Sequence, residues 1–160
     1  MQTLGTSSTY CHTTIQIETH HPTEFIDLTG RLEGLVADAG IRIGFVNVQS
    51  LHTTTAIVVN EHEPFLLTDF VDCLDGLAPR DAAYQHDGLS RRSSMPAWAG
   101  QEERVNGHAH CQALLLQPGA CLNVVDGRLL LGDWQRVFLA ELDGPRERQI
   151  SVVVIGEQLR

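Results

Sequence analysis

The segment Leu51-His52-Thr53-Thr54-Thr55-Ala56-Ile57-Val58-Val59-Asn60-Glu61 sets reactive polar groups at both ends of a β-branched apolar run. His52 stands at one end and Asn60-Glu61 at the other, and His86, His108 and His110 follow downstream. Histidine suits both proton transfer near neutral pH and metal ligation. His86 lies in Tyr84-Gln85-His86-Asp87, where Asp87 reads as the acceptor that fixes its tautomer. In Asn106-Gly107-His108-Ala109-His110 a helix would set the two imidazoles about 200° apart, so only one can face an inward site. Asn106 reads as a helix cap, which favours His110, on the face of Leu114. His12, His20 and His21 have no accompanying polar motif and read as surface residues.

His52, His86 and His110 are therefore the candidate catalytic residues and the candidate ligands of a divalent metal, Zn²⁺ by residue type. Their spacing matches no zinc signature such as H-E-x-x-H. Glu61 joins the catalytic candidates, and Glu61 or Asp69 would supply oxygen ligands if the metal were Mg²⁺. Asn60, Asp69, Trp134, Gln135 and Arg146 are the candidate ligand-binding residues, with Trp134 offering a ring for stacking and Gln135 an amide for orientation. Arg146 and Arg148 could hold a phosphate; surface ion pairs with Glu141, Asp143 and Glu147 are the competing use. Fully extended, residues 52–60 would hold their ends ~26 Å apart at ~3.3 Å per residue. The strand bends, or two pockets exist, or a second subunit supplies one end. The simplest expectation groups His52 with His86 and His110, and leaves Asn60-Glu61 to start a helix and serve elsewhere.

Stepping along the chain, Thr9 to Glu18 reads as a strand, and a helix follows from His21-Pro22, with Phe25, Leu28, Leu32 and Leu35 at helical spacing and Gly40 as its stop. Ile41 to Val48 is a strand with Ile41, Ile43 and Phe45 on one face, and Thr53 to Val59 forms a hairpin with it. Glu61 to Leu77 is the second long helix, its stripe of Phe65, Leu66, Phe70, Cys73, Leu74 and Leu77 interrupted by Asp69, with Pro64 in its first turn. Arg80 to Val105 is an irregular segment of the kind used for binding loops. A short helix after Asn106 steps along Ala109, Ala113 and Leu116. Strands follow at Ala120–Val125, Arg128–Leu131, Trp134–Leu142 and Gln149–Gly156, with Asp126-Gly127 as a two-residue hairpin turn. This pattern is α+β, one domain over the 160 residues with two long helices and one short one.

Composition narrows the partners. Twenty acidic residues face eleven basic ones, all Arg, for a formal charge of −9. That balance argues against nucleic-acid backbones and anionic lipid, and the absence of Lys removes Schiff-base and P-loop lysine chemistry. A small-molecule substrate is expected, and a phosphorylated one would need local Arg, backbone amides or a metal. Cys11, Cys73, Cys111 and Cys121 form no C-x-x-C pair, no apolar run approaches a membrane span and no signal peptide is visible. The expected location is cytoplasmic.

Taken in order, His52-Thr-Thr-Thr-Ala56, Asn60-Glu61, Asp69, Ala78-Pro79, Tyr84-x-His86-Asp87, His110 and Gly132-x-Trp134-Gln135 resemble the YjbQ-like family, whose members are labelled secondary thiamine-phosphate synthases. The resemblance spans roughly residues 9–156. It implies a compact α+β domain on an extended antiparallel sheet, a homotrimer, and a weak activity joining an aminopyrimidine methyl diphosphate to a thiazole phosphate. The site residues it carries over are His52, Asn60, Glu61, His86, His110, Trp134 and Gln135. This chain has His110-Cys111-Gln112 where members often have His-Ile-Lys, and Gly100-Gln101-Glu102-Glu103-Arg104 where they often have a Gly-Asx-Asp-rich loop. Two other readings stand beside it: a metal-dependent hydrolase with a His-rich site, and a non-catalytic metabolite-binding trimer.

Overall fold

Alternation of apolar and polar residues in the strands dictates two sheets that share one core. In the computed structural model, which describes residues 8–91 and 104–158, the elements run β1 (Ser8–Glu18), β2 (Glu24–Asp27), α1 (Thr29–Ala39), β3 (Ile41–Ser50), β4 (Thr55–Glu61), α2 (Pro64–Leu77), α3 (Gly107–Leu115), β5 (Gly119–Val125), β6 (Arg128–Leu129), β7 (Gln135–Glu141) and β8 (Glu147–Gln158). One sheet has the order β1-β8-β3-β5-β6, the other β2-β7-β4, and all pairs are antiparallel. The fold is α+β.

Along β8, Ile150, Val152 and Val154 point to one face and are buried; Val46 and Val48 of β3 and Leu122 and Val124 of β5 join them. From the second sheet Ile57, Val137 and Leu139 meet this face, and Leu32 and Val36 of α1 complete the core. A smaller apolar cluster, Leu74, Ala109 and Leu142 with Phe25, Ala113 and Leu116, seats α2 and α3. The strand β7 is buried along Val137 to Glu141 because both of its faces are covered.

Four sequence expectations need correction. The chain from Glu24 to Asp27 is a strand paired with β7, so the helix starts only at Thr29, whose N–H is taken by Asp27 Oδ1 at 2.8 Å. The Phe25-Leu28-Leu32-Leu35 spacing is partly helix and partly strand because β7 offers an unpaired edge. Second, Ile43 and Phe45 face outward. The β3–β8 register shifts between Ile41 and Ile43, and one extra residue, Arg42, moves the buried parity from odd to even positions. Gly127 N–H bonds the Arg42 carbonyl at 3.1 Å, which secures this bulge to the Asp126-Gly127 turn. Third, β3 and β4 form no hairpin: β3 pairs with β8 and β5, β4 with β7. Residues 51–54 instead carry the chain from one sheet to the other. Fourth, Asn60 and Glu61 end β4, and Glu63 caps α2 by accepting from Phe65 and Leu66 N–H.

The expected stop at Gly40 is present, at φ +62°, as is the Asp126-Gly127 turn at φ +50° and +76°. The segment after Arg80 contains single 3-10 turns at Gln85–Asp87 and Leu89–Arg91, and the Gly100–Glu103 part of the divergent loop lies outside the described residues.

Gly44 faces Gly156 across β3 and β8. A Cβ on Gly44 would lie 2.6 Å from Gly156 Cα and run into the Ile155 carbonyl. Gly44→Ala is therefore expected to lower stability by about 1–3 kcal/mol, the usual cost of overpacking, read as a fall in the urea midpoint at unchanged m-value.

Candidate functional site

The parity that buries Ile150, Val152 and Val154 also points Arg148 inward, and the parity of Val137 and Leu139 does the same to Glu141. Both charges are essentially inaccessible, at 2% and 0% exposure. Such a pair persists only with good geometry and all remaining hydrogen bonds met. Arg148 Nε donates to Glu141 Oε2 at 2.6 Å and Nη2 to Oε1 at 2.5 Å. Thr19 Oγ1 donates to Oε2, and the Leu142 and Asp143 N–H groups donate to Oε1. Arg148 Nη2 also donates to Thr54 Oγ1 at 3.1 Å. The residues expected to pair at the surface thus pair at the end of the core.

His52 extends this polar end. Leu51 N–H continues the β3–β8 ladder to the Gln149 carbonyl at 3.1 Å, and Gln149 N–H then donates to His52 Nε2 at 2.9 Å. The imidazole stands where the next backbone acceptor would be, so its neutral form carries the proton on Nδ1. Burial, then the Arg148 charge, lowers its pKa below 6.5; Glu141 opposes this and Arg146 adds to it.

The β7–β8 turn leads to the second part. Asp143 is buried, accepting from Arg146 Nη2 at 3.1 Å and Asn106 Nδ2 at 2.8 Å. A carboxylate accepts only, so the amide of Asn106 has one permitted orientation, with Oδ1 toward His86 Nε2 at 3.2 Å. His86 is thereby held with its proton on Nε2, and Nδ1 is the basic nitrogen of the neutral ring. The His86 and His110 rings meet at 4.6 Å between centroids, inclined at 66°. Asn106 makes no side-chain cap on α3. Asp87 does that work from another element, taking Gly107 N–H on Oδ1 at 2.8 Å. A Cβ on Gly107 would approach Tyr84 Cγ to 2.7 Å, so the glycine lets the 84–88 turn close on the helix.

His108, set aside in the sequence reading, is the deeply buried imidazole of α3, at 3% exposure, whereas Leu114 on the His110 face is 83% exposed. Helix packing buries His108 and leaves His110 half-buried against His86. Burial, then Arg80, lowers the pKa of His108 against the opposing pull of Asp143, Asp87 and Asp75. Sequence reasoning also missed Asn106 as a link and the burial of Glu141, Asp143 and Arg148; the inward parity of Glu141 and Arg148 was legible in the strand pattern.

Asn60, Glu61, Trp134 and Gln135 lie at the opposite end of the second sheet. All seven β4 residues pair with β7, with Asn60 opposite Arg136 and Glu61 opposite Gln135. That pairing spans about 20 Å at ~3.3 Å per residue. Asn60 Oδ1 accepts from Glu61 N–H, Gln135 Oε1 from Gly132 N–H, Trp134 is 73% exposed, and Asp69 is exposed on α2. An open cleft of about 520 Å³ lies nearby, lined by Asp27, Thr29, Arg31, Glu33 and Arg136. Beside it His62 Nδ1 contacts Asp27 Oδ2 at 3.0 Å. Burial pushes the Asp27 carboxyl up, but hydrogen bonds from Thr29 and His62 outweigh it and lower its pKa.

His52 Nε2 is committed to Gln149 and His86 Nε2 to Asn106. Among the described residues no group of three or more His, Cys, Asp or Glu is arranged to hold a metal ion.

A family model described as UPF0047 protein YjbQ-like matches residues 13–157. A UPF0047 protein of Methanothermobacter thermautotrophicus is 38% identical over 143 residues, 89% of this chain and 90% of its own. The UPF0047 protein YugU of Bacillus subtilis is 30% identical over 146 residues, 89% of this chain and 98% of its own. The crystal structure of a YjbQ-like protein of unknown function from Sulfolobus solfataricus superposes with a TM-score of 0.83 at 32% identity, covering 94% of this chain and 100% of that one. These names overturn the expectation of thiamine-phosphate synthase activity: relatives are described only by family and, for the Sulfolobus protein, as of unknown function.

Two outcomes follow from the polar core. Arg148→Met strands the Glu141 carboxylate in the core and is expected to cost about 3–5 kcal/mol in denaturant unfolding. His52 and His108 both have folded pKa values below 6.5. Their contribution is therefore full above pH 6.5 and is lost as pH falls from there, because the unfolded chain takes up the protons first. The urea midpoint should therefore fall as the pH is lowered through 6.5 and below. The fall should be shallower in His52→Gln, whose amide oxygen can still accept from Gln149.

Proposed function

The chain belongs to the UPF0047 YjbQ-like family, and from that premise we propose that it is a small-molecule enzyme in which His86 and His110 move protons. One observation carries this reading: Asn106, clamped by Asp143, fixes the tautomer of a histidine that lies against a second histidine. Structural histidines need no such orientation at an accessible position, and His86 is exposed. A general base, in contrast, must present a defined nitrogen to the reacting group. The substrate class is a small molecule bearing phosphate or carboxylate. In a chain of charge −9 this end gathers Arg104, Arg146 and Arg148, close enough that Arg104 and Arg148 help burial to lower the pKa of Arg146. Asp143 and Glu141 offset part of that charge and hold the guanidinium groups in place.

Inorganic phosphate serves as the binding probe, read on the His86 and His110 ring signals in long-range ¹H–¹⁵N spectra. Both should move on titration in the wild type and much less in Arg146→Ala. Turnover is sought by NMR on a panel of small phosphorylated and carboxylated metabolites. His86→Ala, folded by circular dichroism, should lower any turnover found by about 10²–10⁴-fold. Unmoved ring signals together with no turnover across the panel would sink the proposal.

The assembly proposed is a homotrimer of copies of this chain. The support is the outer face of the five-stranded sheet, where Tyr10, Ile43, Phe45 and Val125 are exposed together on paired strands. Contiguous apolar surface of this kind marks association. Light scattering should give three chain masses for the wild type and one for Phe45→Glu; a monomeric wild type at micromolar concentration overturns it.

A further inference from the structure

Two buried polar atoms on α3 have no hydrogen-bond partner among the described residues: His108 Nε2 and Gln112 Oε1. His108 is 3% exposed and Gln112 0%. Four residues apart on one helix, their side chains lie on the same face, with Cβ atoms about 5–6 Å apart. The amide of Gln112 cannot turn over. Its Nε2 donates to Asp75 Oδ1 at 3.0 Å and to the Ala78 carbonyl at 3.1 Å, which uses both of its hydrogens. Oε1 is therefore fixed as an acceptor that requires a donor. His108 is held toward its neutral form by burial and by Arg80. A neutral imidazole presents one donor and one acceptor nitrogen. Buried groups left in this condition are rare in native proteins and unfavourable.

We propose that one buried water molecule binds between α2 and α3, donating to Gln112 Oε1 and hydrogen-bonded to His108 Nε2. Water meets the requirement without charge: it donates to the amide oxygen and can either donate to or accept from the imidazole. An anion is disfavoured because Oε1 is itself an acceptor. A metal cation is disfavoured because, among the described residues, no group of three or more His, Cys, Asp or Glu is arranged to hold one. Together with the two Gln112 bonds, the water joins the C-terminal end of α2 to the first turns of α3. Those turns carry His110 and follow directly on Asn106. The site is independent of what the histidine pair does.

The test is a water-selective NOE experiment on the full wild-type chain. Transfer from water to the His108 ring protons should carry the sign of a long-lived bound molecule, and Gln112→Met, which keeps the volume and removes the acceptor, should abolish it. Its absence in the wild type, or its persistence in Gln112→Met, overturns the proposal. If the variant does not fold, a crystal structure of the wild type decides. A density peak within hydrogen-bonding distance of both atoms supports the water, and a direct bond between His108 and Gln112 overturns it.

Discussion

The buried pair of Arg148 and Glu141 is the constraint from which the polar end of this molecule follows. Both side chains point into the core because their strands alternate, and neither can be turned outward without breaking that alternation. Once they are inside, every lone pair and hydrogen must be met. Thr19 from the end of the first strand, Thr54 from the crossing between sheets and two backbone amides from the following turn are drawn in for that purpose. The pair joins β7 of one sheet to β8 of the other, so it fixes how the two sheets meet.

That junction sets the geometry of the candidate site. The turn after Glu141 holds Asp143, and Asp143 holds both Arg146 and Asn106. Asn106 is free to orient His86 because Asp87 has taken over the helix-capping role that its own position would give it. The exchange needs a close approach between the 84–88 turn and α3, which Gly107 permits. A rigid core pair, a shared carboxylate and a borrowed cap thus align two imidazoles that are 24 residues apart in the chain.

Much of this was readable from sequence. The α+β class, the positions of most strands, the Gly40 stop and the Asp126-Gly127 turn follow from local periodicity and turn chemistry. The ordered motifs pointed to the YjbQ-like family, and the family model agrees. The failures have local causes. One extra residue at Arg42 reversed which face of β3 is buried. The β2 segment mimics a helix in its apolar spacing but is captured as a strand by β7. Arg148 and Glu141 have the residue types of surface charges, although their positions fall on the inward set of their strands.

By itself, then, the sequence determined the class of fold, the ends of most elements, the family and the residue types from which a site could be made. Those properties depend on neighbours a few residues away. Tertiary structure alone decided which polar groups meet. It joined His86 to His110, gave the Nε2 of His52 to the backbone of β8, and left Asn60 and Glu61 at the far end of the second sheet. The reason is that a hydrogen-bond partner is chosen by burial and by strand register across long separations. A single bulge or a single inward charge resets both, and local pattern carries no record of the partner it selects.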